Sequence, residues 1–298
     1  MDPAVELTGK TYWYKSAPGH EGIHGLHTGT FLDGRSQAFV GSACTIEILD
    51  EKGNLVKRLP RFWGQVSLFA LVDGPQGTRN LLSACVYNGV NDVAIVNTRS
   101  LRAQTGAFMA VPPGHTNVGG WSSMNRRHLF YEDLDGDGTR EVAGEINGTW
   151  NRVCVWAVDG TPKYAANLGP GPRIPGLTVR DLAVCDLEGD GKKEIVVATA
   201  QGMLIALDAR CQKRWSVRLP SPASVLECVC IKGGKEAQVI AGCDDGRLRV
   251  LDASGQPMRT GTLAGKPGVM RQLADADGNP LLAVGTDRGE VSFWRAHP

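Results

Sequence analysis

The sequence predicts an all-β chain: one six-bladed β-propeller spanning residues 1–298, its ring closed by the N-terminal strand. Two observations lead to that reading. Three hairpins align on a glycine ahead of an apolar run, in Gln201-Gly202-Met-Leu-Ile-Ala-Leu, Asp245-Gly246-Arg-Leu-Arg-Val-Leu and Arg288-Gly289-Glu-Val-Ser-Phe-Trp, at spacings of 44 and 43 residues. An X-Gly turn between apolar strands is a hairpin signal, because glycine accepts the positive φ required there. In addition, third strands end repeatedly in a turn-forming Asp or Asn, at Asp50, Asn97, Asp159, Asp208 and Asp252.

Four short strands in a unit of about 40–50 residues is the repeat of a propeller blade. The units read as 22–62, 63–117, 118–171, 172–220, 221–264 and 265–298. The last stops after Phe293-Trp294-Arg295, one strand short. Residues 9–16, with Thr11-Tyr-Trp-Tyr-Lys15, resemble the outer strand around Trp215 and are expected to complete it, leaving no free sheet edge between the chain's ends.

Composition excludes several partners. The 32 basic and 31 acidic residues nearly cancel, so no electrostatic footprint for nucleic acid is expected. No apolar run approaches the roughly 18 residues that span a bilayer. The start, Met-Asp-Pro-Ala-Val-Glu, lacks a basic and then apolar leader, so no signal peptide is read; a secreted chain trimmed of its leader has the same appearance. Eight cysteines occur without a C-x-x-C pair, mostly inside apolar runs. They read as buried free thiols, which points to a reducing compartment.

Two acidic loops carry candidate metal chemistry. In the first the donors are Asp133, Asp135, Asp137, the Thr139 carbonyl and Glu141; in the second they are Asp186, Glu188, Asp190, the Lys192 carbonyl and Glu194. Calcium takes about six to eight hard oxygens, and alternate carboxylates converge when glycines let the loop curl. The plainer reading is a solvated Asp-Gly-Asp-Gly turn. Lys192 and Lys193 dilute the second loop's charge, and the shortened Asp275-Ala-Asp277-Gly-Asn reads as an empty hairpin.

These loops resemble those of FG-GAP/VCBS-type propellers, and the strand–turn pattern from Glu194 to Arg218 is similar to quinoprotein-like (PQQ-type) repeats. The resemblance implies the propeller fold and calcium. Both families host unrelated functions, so activity must be argued from the site.

Aligning the units on Asp133 and Asp186 places His128 level with Asp181 and Arg127 level with Arg180. His24 and His27 come to about the same height from the first unit, and Arg271 from the sixth. Such residues at the mouth of a central channel could bind an acidic carbohydrate, since guanidinium pairs bidentately with anionic groups. They could equally serve as hydrogen bonds between neighbouring blades. His24-x-x-His27 is too close, and lacks a third ligand, for a transition-metal site. An insertion with Phe108, Met109 and Trp121 is read as a lid or as packing.

Nucleophile-elbow, Walker, zincin and haem motifs are absent from the sequence. The leading expectation is a non-catalytic binding or scaffold module that recognises an acidic carbohydrate at the mouth of the central channel. The alternatives are a polysaccharide lyase with His27 or His128 as base, Tyr131 as acid and Arg126 or Arg127 neutralising a uronate, and a protein–protein interaction platform.

Overall fold

The computed structural model describes residues 23–74, 77–87, 90–97, 103–107, 128–146, 151–168, 179–230 and 235–295. Every regular element among them is a strand. These are β1 (Ile23–Thr30), β2 (Ser36–Leu49), β3 (Leu55–Asp73), β4 (Arg79–Tyr87), β5 (Val90–Asn97), β6 (Ala103–Ala107), β7 (Leu129–Glu132), β8 (Glu141–Ile146), β9 (Arg152–Trp156) and β10 (Pro162–Asn167). They continue with β11 (Val179–Cys185), β12 (Glu194–Thr199), β13 (Met203–Leu207), β14 (Lys213–Arg218), β15 (Ala223–Cys230), β16 (Ala237–Cys243), β17 (Arg247–Leu251), β18 (Pro257–Thr262), β19 (Pro267–Ala274), β20 (Pro280–Thr286) and β21 (Val291–Arg295).

The described residues form five sheets, which corrects the expected six blades. One sheet has six strands, β1 to β6; three have four, β7–β10, β11–β14 and β15–β18; the last has three, β19–β21. The discrepancy lies in β3. Its first part pairs with β2 from Leu49↔Leu55 to Ala43↔Gln65, and its second part pairs with β4 from Gln65↔Val86 to Asp73↔Arg79. The boundary expected between 62 and 63 therefore falls inside one continuous 19-residue strand. Buried Leu59, Val66 and Phe69 lie on both sides of that boundary, and register shifts at Ala43/Thr45 and Val66/Leu68 absorb the irregularity, so one sheet replaces two blades. Residues 9–16 lie outside the described part, and so does the insertion with Phe108, Met109 and Trp121.

Contacts divide the chain into two compact units, 1–132 with 141–150 and 154–164, and 133–140 with 151–153 and 165–298. The core of the first includes Phe31, Phe39, Ile46, Ile48, Val66 and Leu81, with Phe31 edge-on to Phe39 at 5.7 Å. In the second, β12 and β16 are buried at every position, as strands covered on both faces must be. The outer edge strands of the same sheets, β14 and β18, are largely exposed. This gradient explains why β12 and β16 are mostly apolar while β14 and β18 are polar. Gly202, Gly246 and Gly289 take φ of 78°, 74° and 77°, as their hairpin turns require. No helix among the described residues is long and apolar enough to cross a membrane.

Candidate functional site

The first acidic loop joins β7 to β8. The Asp133 carboxylate accepts the Gly136 and Gly138 N–H groups at 2.8 and 2.9 Å, and Asp137 accepts the Thr139 N–H at 2.7 Å. Gly136 and Gly138 have φ of 76° and 87°, so the backbone curls around the Asp133 side chain. Leu134, between Asp133 and Asp135, is 1% exposed and plugs the loop into the core. The result is convergence: oxygens of Asp133, Asp135 and Glu141 lie within 4.8 Å of one another. Asp135 Oδ1 is buried with no hydrogen-bond partner, and Glu141 is buried, its Oε1 accepting from Lys163 Nζ at 2.6 Å. Hard oxygens converging around a buried, partnerless carboxylate oxygen fit a divalent cation. Asp137 sits at the exposed end of the loop, and its carboxylate is not part of this cluster.

The second loop, between β11 and β12, has the same backbone frame. Asp186 accepts the N–H groups of Gly189, Asp190 and Gly191, and Asp190 accepts that of Lys192 at 2.9 Å. Its remaining carboxylates are closed by an internal cation. Arg214 on β14 pairs with Glu188 through one guanidinium nitrogen and with Glu194 at 3.1 Å through the other. Glu194 is buried and also accepts the Leu187 N–H at 3.0 Å. Burial pushes the Glu194 carboxyl above its ordinary value, against the pull of the Leu187 N–H and Arg214. Two of the expected calcium donors are thus held by an arginine that the sequence reading did not single out. A signal existed: Lys163 and Arg214 each precede the aromatic residue of an outer strand, Tyr164 and Trp215. The shortened third loop is a closed turn, in which Asp275 accepts the Asp277 and Asn279 N–H groups.

Each acidic loop is tied to the segment that follows it. The Leu134 carbonyl accepts the Lys193 N–H at 2.8 Å, and the Leu187 carbonyl accepts the Ala237 N–H at 3.0 Å. Cys185 and Cys228 form a disulfide between β11 and β15, with Cα atoms 6.2 Å apart. This corrects the reading of these two as free thiols; Cys154, Cys211, Cys230 and Cys243 are free.

Strands β1, β11, β15 and β19 share a register irregularity after their first residue, at His24, Arg180, Ser224 and Gly268. Arg180 forms a bidentate pair with Asp244 at 2.6 and 3.0 Å, and this pair is the largest cause holding the Asp244 carboxyl below its ordinary range. Asp181 accepts the Leu226 N–H of β15 at 2.5 Å, and the Ser224 hydroxyl donates to the Pro267 carbonyl of β19 at 2.7 Å. Arg180 and Asp181 therefore join neighbouring sheets. In the first unit, His27 stacks on Phe39 and burial lowers its pKa. His24 is half-buried on β1. His128 lies 3.2 Å from the buried Glu145 carboxylate and stacks on Phe130. The Tyr131 hydroxyl donates to Asp73 at 3.1 Å. Arg126 and Arg127 lie outside the described residues. Asp244, the partner of Arg180, went unnoticed in the sequence because a turn carboxylate there has no motif.

Comparison with solved structures decides the fold. The chain is similar to BBS1N in its crystal structures with ARL6DN. One of these, soaked with lead, gives 14% identity and TM-score 0.67 over 91% of this chain and 78% of that one. The other, soaked with mercury, gives 14% and 0.65 over 97% and 81%. It is also similar to a chain of the mitotic checkpoint complex (15%, 0.60, over 93% and 75%) and to the Dos1 propeller (15%, 0.62, over 92% and 66%). The fold is that of a β-propeller. A family model described as the lambda-carrageenase beta-propeller domain matches residues 142–263. The search of curated proteins finds no match. At these identities the propeller's likeness to the solved structures extends to the fold alone.

Proposed function

We propose that this propeller is a non-catalytic binding or scaffold module, ordered at its first acidic loop by calcium. The observation that carries the reading is the structural engagement of its inner-strand polar groups. Arg180 pairs with Asp244, Asp181 holds the Leu226 N–H, and the Tyr131 hydroxyl holds Asp73. Of the groups that lyase chemistry would use, the Tyr131 hydroxyl is engaged by Asp73 and His128 faces the buried Glu145 carboxylate. The likeness to propellers solved in complexes with ARL6DN and within the mitotic checkpoint complex supports a protein partner. Calcium would be held by Asp133, Asp135 and Glu141, and would supply charge neutralisation and a cross-link across the base of the hairpin.

The match to the lambda-carrageenase propeller model favours a second reading, in which the partner is an acidic polysaccharide. Affinity electrophoresis through gels cast with lambda-carrageenan, with a reducing-end and unsaturated-product assay on the same mixtures, tests both. The non-catalytic reading expects no product over prolonged incubation, and product formation removes it. Salt-sensitive retardation favours the polysaccharide, and unchanged migration favours the protein partner.

A further inference from the structure

We infer that the Cys185–Cys228 pair is a thiol-sensitive clasp that fixes the second acidic loop to the neighbouring sheet. Cys185 is the last residue of β11 and immediately precedes Asp186, the loop's first residue. Cys228 lies in β15, the first strand of the next sheet, and is 8% exposed. Cys228 belongs to the core cluster that also contains Leu187, Leu226 and Val239, and the partly buried Cys185 packs against that cluster. The Cα separation of 6.2 Å falls inside the range of about 4.4–6.8 Å that an unstrained backbone allows.

The clasp sits between two weaker ties along one seam. At one end Asp181 of β11 accepts the Leu226 N–H of β15; beyond the other end the Leu187 carbonyl accepts the Ala237 N–H of β16. The covalent bond between them holds the base of the loop. A dithiol reductant supplies two electrons and two protons: its own thiols close to a disulfide, the Cys185–Cys228 bond breaks, and both cysteines leave as thiols. The unfolded chain then loses a closed loop of 43 residues' separation, and the seam depends on hydrogen bonds and packing alone.

The test uses the full chain equilibrated with excess oxidised glutathione. Free thiols are blocked by alkylation, and the unreduced digest is examined by mass spectrometry. The expected result is a cross-linked peptide joining Cys185 to Cys228, while exposed Cys230 carries glutathione or the alkylating group, without an internal cross-link, and serves as the internal control. Dithiothreitol is expected to lower the melting midpoint by about 5–10 °C, and a Cys185→Ala variant should lose that response. Alkylation or glutathionylation of both Cys185 and Cys228 before reduction, or a wild-type midpoint insensitive to dithiothreitol, would overturn the inference. The mass-spectrometric arm decides even if the variant does not fold.

Discussion

The hairpins 133–141 and 186–194 share a sequence frame and a backbone fold, yet they balance their charge by different means. In both, the first aspartate gathers glycine N–H groups, a leucine plugs the core, and the closing glutamate is buried. In the second, Arg214 reaches across to both Glu188 and Glu194. In the first, the corresponding lysine, Lys163, reaches Glu141 at 2.6 Å, and Asp135 keeps a buried oxygen without a donor. A guanidinium has five donors in a planar fork and can bridge two carboxylates, whereas an ammonium is a point charge. One arginine in place of lysine separates a hairpin that completes itself from one that leaves room for a cation.

The largest predicted effect concerns how tightly each hairpin meets its neighbour. A Cβ on Gly189, where φ is 70°, would stand 2.2 Å from the Lys235 carbonyl oxygen; on Gly136, where φ is 76°, it would stand 3.1 Å from that of Gly191. Gly189→Ala is expected to destabilise by about 3 kcal/mol and Gly136→Ala by about 1–2 kcal/mol, read by denaturant melts. Equal losses would show that the two seams are equally tight.

Next comes Arg214→Ala, expected to cost about 2 kcal/mol at neutral pH because it leaves buried Glu194 without its cation. The sign of its pH dependence follows from the raised Glu194 carboxyl. The folded state holds that proton more tightly than the unfolded one, so stability falls as pH rises from the ordinary glutamate value through the raised one. Removing Arg214 raises the carboxyl further. The variant's deficit should therefore shrink as pH is lowered from 7 towards 4.5. A deficit that grows on acidification would contradict the assignment. The smallest effect is Lys163→Met, expected to cost about 1 kcal/mol in chelator and less with calcium present, since the ion takes over part of the neutralisation of Glu141.

Much of this contrast was legible in the sequence, and some was not. Strand–turn spacing located the hairpins at Gly202, Gly246 and Gly289 because positive φ demands glycine locally. The acidic loops were legible for the same reason. The number of sheets was not: β3 runs through Pro60 and Gly64, and the burial that sustains it comes from residues distant in sequence. Arg214 and Asp244 were missed because their partners, 20–64 residues away, are set by sheet register. The Cys185–Cys228 bridge escaped for the same reason, since buried thiols in apolar strands look alike until two strands are laid side by side.

Isothermal titration with calcium tests the difference between the hairpins most directly. The account predicts one site per chain, abolished by Asp135→Asn and retained in Glu188→Gln, with saturating calcium raising the wild-type melting midpoint by about 5 °C over EDTA. Two equivalent sites, no binding at all, or a site that survives Asp135→Asn and disappears with Glu188→Gln would contradict it.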